Sequence, residues 1–66
     1  MNTAPTRILT IEDEPMVREI LTAYMEDSGF EVIQAGDGWT GIDLIRRQQP
    51  DLVLCDLRMP GMDGLQ

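Results

Sequence analysis

Three features of this chain predict an α/β fold, a doubly wound parallel sheet with helices on its faces. Two short apolar runs, Arg7-Ile8-Leu9-Thr10-Ile11 and Leu52-Val53-Leu54-Cys55, both end in carboxylates: Glu12-Asp13-Glu14 follows the first and Asp56 the second. The stretch of about 40 residues between them has helical periodicity, which suits parallel neighbours joined by crossovers. The second run is apolar at four consecutive positions without alternation, the pattern of a strand covered on both faces.

Taken in order, residues 1 to 6 form a polar, flexible start, and Arg7 to Ile11 is the first strand. A helix opens at Pro15, whose fixed φ and missing N–H suit a first helical position. Met16, Val17, Ile20, Leu21, Tyr24 and Met25 recur at helical spacing as one apolar stripe, and Ser28-Gly29 stops the helix. Glu31 to Ala35 is a second short strand. Gly36-Asp37-Gly38 is a turn in which Asp37 can cap the next helix. Gly41, Ile42 and Ile45 mark the inward face of that helix, where the glycine costs about 1 kcal/mol relative to alanine. Gln48-Gln49-Pro50 ends it. Leu52 to Cys55 reads as a central strand, Leu57 to Gly64 as a loop beyond its carboxyl end, and Leu65-Gln66 as the start of another helix.

The order β-α-β-α-β leaves a central-type strand without a second neighbour, and an open apolar edge is a template for pairing with another chain. The expectation is the front part of a larger doubly wound domain, cut short or completed by a partner. Composition narrows the function. The 66 residues carry a formal charge of −7, with five arginines and neither lysine nor histidine. A domain of this size buries only about 60% of the surface its unfolded chain exposes, which makes the monomer marginal. There is no basic face for phosphate backbones, so direct nucleic-acid binding is not expected. Without histidine, any chemistry falls to carboxylates. The one cysteine, Cys55, can form no internal disulfide, which fits a reducing cytoplasm. No apolar run approaches the roughly 20 residues that span a bilayer, so no membrane association is expected.

Parallel neighbours bring the carboxyl ends of the two apolar strands to one rim, where three acids would share a crevice. Carboxylates about 5 Å apart repel by about 3 kcal/mol at an effective dielectric near 20. Either one acid takes up a proton or a hard, oxygen-seeking cation such as Mg²⁺ sits between them.

The motifs Ile8-Leu9-Thr10-Ile11-Glu12-Asp13-Glu14, Gln34-Ala35-Gly36-Asp37-Gly38 and Pro50-Asp51-Leu52-Val53-Leu54-Cys55-Asp56-Leu57-Arg58-Met59-Pro60-Gly61-Met62-Asp63-Gly64 strongly resemble the receiver domain of bacterial two-component response regulators. The resemblance assigns residues 7 to 66 as a partial receiver domain. It implies a flavodoxin-like (CheY-like) fold with the sheet order 2-1-3. It also implies that Asp56 is the phosphoacceptor, charged by a phosphohistidine on a sensor histidine kinase or phosphotransfer protein. Glu12 and Asp13 match the acidic pair that holds Mg²⁺, and the backbone carbonyl of Arg58 matches the position that completes the metal shell. The implied role is regulatory rather than enzymatic, although family members assist their own phosphorylation and dephosphorylation. The family's serine or threonine after the fourth strand and lysine after the fifth are not reached before Gln66, and neither is an effector domain.

Two competing readings follow from the same residues. A metal-dependent phosphohydrolase resembling the haloacid dehalogenases would also place an aspartate nucleophile after a strand, but its second acid falls on Arg58. Alternatively, the fragment is not itself phosphorylated and self-associates as a homodimer through Leu52 to Cys55. More modest readings also have weight. Glu12-Asp13-Glu14 suits the positive end of a helix dipole, Asp63 a turn, Met16, Met25, Met59 and Met62 apolar filling, Cys55 a small buried side chain, and Trp39 half-exposed packing.

Overall fold

The computed structural model describes residues 4–55. Five elements alternate: β1 (Arg7–Ile11), α1 (Pro15–Asp27), β2 (Glu31–Ala35), α2 (Gly38–Gln48) and β3 (Leu52–Cys55). The three strands form one parallel sheet in the order β2-β1-β3. This is the expected 2-1-3 arrangement.

β1 is the central strand. Leu9 pairs with Ile33 on one side and Val53 on the other, and Ile11 with Ala35 and Cys55. Successive side chains of a strand point to opposite faces. Leu9, Ile11 and Ala35 therefore share one face and form a buried cluster, against which Ile33, Leu44 and Cys55 pack. Leu44 is supplied by α2. Ile8 and Thr10 leave β1 on the other face and are also buried, with α1 lying against β1 and β2 and burying Thr22 and Met25.

Both helices are punctuated by local chemistry. α1 starts at Pro15 without a side-chain cap. It ends in a Schellman motif: Gly29 has φ +97, its N–H donates to the Glu26 carbonyl at 3.0 Å, and the Phe30 N–H donates to the Met25 carbonyl at 3.0 Å. α2 is capped by Asp37, whose carboxylate accepts the Thr40 N–H at 2.7 Å and the Thr40 hydroxyl at 3.0 Å. Arg46 and Arg47 in its last turn suit the negative end of the dipole.

The amino rim of the sheet is tied together by Arg7. Its guanidinium donates to the Gln48 carbonyl at 2.7 Å and to Gln48 Oε1 at 2.6 Å, and it lies 3.3 Å from Glu31. Its backbone exchanges hydrogen bonds with Asp51: the Arg7 N–H donates to Asp51 Oδ2 and the Asp51 N–H to the Arg7 carbonyl, each at 2.8 Å. One side chain thus joins the start of β2 and the end of α2 to β1.

Three packing expectations need correction. The apolar stripe of α1 splits into two rows, with Val17, Leu21 and Met25 turned inward and Met16, Ile20 and Tyr24 exposed. Six apolar positions make a stripe wider than one sheet face can cover, and the polar Thr22 takes a buried place among them. On α2 the inward row is Gly38, Gly41 and Leu44, while Ile45 is exposed. The apolar run of β3 suits a strand covered on both faces, but among the described residues that cover is missing, and β3 forms the open edge that the 2-1-3 order implies. Leu52, Val53 and Leu54 remain 53%, 41% and 46% exposed.

Candidate functional site

The carboxyl rim of the sheet carries the acids. In the parallel register Ile11 is the partner of Ala35 and of Cys55, so the last residues of all three strands reach the same level. Glu12 follows Ile11 directly, and its N–H donates to the Ala35 carbonyl at 3.0 Å. Its side chain turns inward and is only 4% exposed, with Oε2 accepting the Glu14 N–H at 3.1 Å. Asp13, one residue on, is exposed in the bend before α1. The expected acidic pair therefore consists of one buried carboxylate with a fixed direction and one that faces solvent.

Asp56 and Arg58, the expected phosphoacceptor and the expected carbonyl ligand, lie outside the described residues, as do Asp63, Met59 and Met62. Cys55, which immediately precedes Asp56, is half-buried against the core cluster. Among the described residues no group of three or more metal-ligating side chains comes together. The donors that are described at the rim are carboxylates, a set that suits a hard cation such as Mg²⁺ rather than a soft one.

The β2–α2 turn completes the rim. Asp37 is held there by its bonds from Thr40, the backbone N–H first and the hydroxyl second, and these keep its carboxyl below the usual aspartate range. Trp39, expected to be half-exposed, is 75% exposed.

Sequence reasoning missed Arg18. Its Nη1 donates to the Glu12 carbonyl at 2.6 Å, and a Cβ at Gly36 would sit 3.2 Å from the same nitrogen. The signal was present but faint. Side chains near a helix start lean back toward its N-terminus, and Arg18 stands on the same inward row as Thr22 and Met25.

Known proteins resemble the chain in both sequence and shape. Residues 8–66 match the response regulator receiver domain. The chain is 42% identical over 65 residues to the DNA-binding response regulator MtrA of Mycolicibacterium smegmatis, covering 98% of this chain and 28% of that protein. It is 43% identical over 60 residues to protein PilH of Pseudomonas aeruginosa, covering 91% of this chain and 50% of that protein. It thus spans half or less of the length of these relatives. The crystal structure of the N-terminal domain of an uncharacterized protein from Wolinella succinogenes superposes with a TM-score of 0.80 at 38% identity, covering 91% of this chain and 48% of that one. With the parallel 2-1-3 sheet and the acidic rim, these matches show that the chain belongs to the response regulator receiver domain family.

Proposed function

We propose that Asp56 is the phosphoacceptor of this receiver domain, and that Glu12, Asp13 and the backbone carbonyl of Arg58 hold Mg²⁺ beside it. The observation that carries the reading is the register Ile11 with Cys55, since each of these residues immediately precedes an acid of the expected site. The donor is a phosphohistidine on a sensor histidine kinase or phosphotransfer protein. A carboxylate oxygen of Asp56 forms the bond to phosphorus as the phosphorus–nitrogen bond breaks and the imidazole leaves. The bound cation supplies charge neutralisation for the nucleophile and the transferring oxygens. Glu12, held by the Glu14 N–H, contributes a carboxylate whose direction is set before the ion arrives. The role is regulatory and cytoplasmic. Among the described residues, no helix is long and apolar enough to cross a membrane.

Beryllofluoride, a mimic of the aspartyl phosphate, tests the assignment. Binding in the presence of Mg²⁺, abolished by Asp56→Asn, is the expected result. Binding that is indifferent to the substitution would refute the nucleophile.

A second reading is favoured by one observation, the exposure of Leu52, Val53 and Leu54 along β3. Through this edge two copies would pair as a homodimer. Light scattering that reports a stable monomer at micromolar concentration would remove that reading while leaving the first intact.

A further inference from the structure

Glu12 is held at every polar position of its backbone and at its carboxylate. Its N–H donates to Ala35, its carboxylate accepts from Glu14, and its carbonyl accepts from the Arg18 guanidinium. The last of these bonds reaches beyond the strand and its turn. Arg18 belongs to the first turn of α1, is half-buried, and lies along the rim with its guanidinium against Gly36 in the β2–α2 turn. It touches both turns that border the acids.

We propose that Arg18 is a positioning residue for divalent-cation binding at the acidic rim, fixing Glu12 through its carbonyl while Gly36 keeps clear the space that the guanidinium occupies. The inference rests on the reading that this rim binds Mg²⁺. Two effects of Arg18 oppose each other. Its positive charge repels an arriving cation, and its hydrogen bond pre-sets the backbone from which the Glu12 carboxylate projects. Groups that orient metal ligands from behind are worth about 10- to 100-fold in affinity, and here positioning outweighs repulsion. Opposite signs make the two effects separable. A residue that acted by charge alone would weaken Mg²⁺ binding, so its removal would tighten it.

Gly36 supplies an independent handle. Its φ lies outside the left-handed region, so alanine meets no backbone strain there. The added methyl would stand 3.2 Å from Arg18 Nη1 and 3.9 Å from Cζ, and apart from the neighbours in the chain no other atom of the described residues lies within 4 Å. Gly36→Ala should therefore act through Arg18.

The test is Mg²⁺ titration by calorimetry of the full chain as wild type, Arg18→Met, Arg18→Lys, Gly36→Ala and the Arg18→Met/Gly36→Ala double variant. Hydrogen exchange of the Glu14 amide is followed without metal. Expected are a loss of about tenfold in affinity for Arg18→Met, partial recovery in Arg18→Lys, and a smaller loss for Gly36→Ala that vanishes in the Arg18→Met background. The Glu14 amide should exchange faster in Arg18→Met and Gly36→Ala, because the carboxylate that accepts it loses its alignment. If Arg18→Met fails to fold, Arg18→Lys and Gly36→Ala decide the matter. Wild-type binding with unchanged or tighter binding in the variants overturns the role of Arg18 alone. No Mg²⁺ uptake by the wild type overturns the metal reading and this inference with it.

Discussion

Ile11 presses against the backbone of Gly41: a Cβ built on the glycine would stand 2.9 Å from Ile11 Cγ1 and closer still to its Cδ1. Ile11 is itself buried at the centre of the sheet, so its side chain has little room to withdraw. The glycine that looks like a flaw in α2 is what lets the helix approach β1. Gly41→Ala gains about 1 kcal/mol in helix propensity, but overpacking a filled core typically costs about 1–3 kcal/mol. We expect net destabilisation in urea unfolding; a variant as stable as the wild type would show that α2 can slide away without cost.

Gln49 ends α2 in the left-handed region, at φ +49 and ψ +61, with its N–H bonded to the Ile45 carbonyl. Glycine takes this conformation without the side-chain clash that other residues meet. Gln49→Gly is expected to raise stability by about 0.5–1 kcal/mol, read as an upward shift in the urea midpoint at an unchanged slope. A downward shift would mean that the Gln49 side chain matters more than the backbone strain.

Asp37 gives the protein an acid-sensitive cap. Its carboxyl titrates below its ordinary value because the folded state donates hydrogen bonds from Thr40 to the ionised form. Folding therefore gains from Asp37 above the unfolded pKa of about 3.9, and the gain is lost as pH falls through the lower folded value. Asp37→Ala should melt below the wild type at pH 7, and the gap should close in more acidic solution. A gap that is independent of pH from 7 down to 2 would place the effect in packing instead.

Arg7 and Arg18 divide the two rims between them. Arg7→Met removes bonds to Gln48 and the contact with Glu31 at the amino rim. These groups are partly or largely exposed, so solvent screening limits the loss to about 1 kcal/mol. Mg²⁺ affinity should stay at the wild-type value in the folded variant. A parallel fall in affinity would mean that the two rims are mechanically linked through β1.

Element order and the two helix starts were legible in the sequence because each rests on a local signal, whereas the 2-1-3 sheet order followed from the resemblance to receiver domains. Pro15 can sit at a first helical position, Asp37 can accept from Thr40, and Ser28-Gly29 can turn the chain left-handed. What failed depends on which neighbour covers a residue. Periodicity groups Ile20 and Tyr24 with Leu21 and Met25, but it does not reveal how wide a face the sheet offers. It favours Ile45 over Leu44 because it cannot see that α2 comes closest to β1 at Gly41. At the site, composition and spacing located the acids, whereas the clamp on Glu12 is a contact between a side chain and a carbonyl six residues earlier. No pattern of residue types records which backbone oxygen an arginine will reach.

The all-parallel sheet dictates the history of the nascent chain. β1 is synthesised first, yet it pairs Ile8 with Val32 on one side and with Leu52 on the other. The central and most deeply buried of the three strands therefore leaves the ribosome with no hairpin partner and stays half-paired until Cys55 has followed it out. Pairings that span so much sequence form slowly, and a delay between α2 and β3 would leave this strand accessible to chaperones or to another polypeptide.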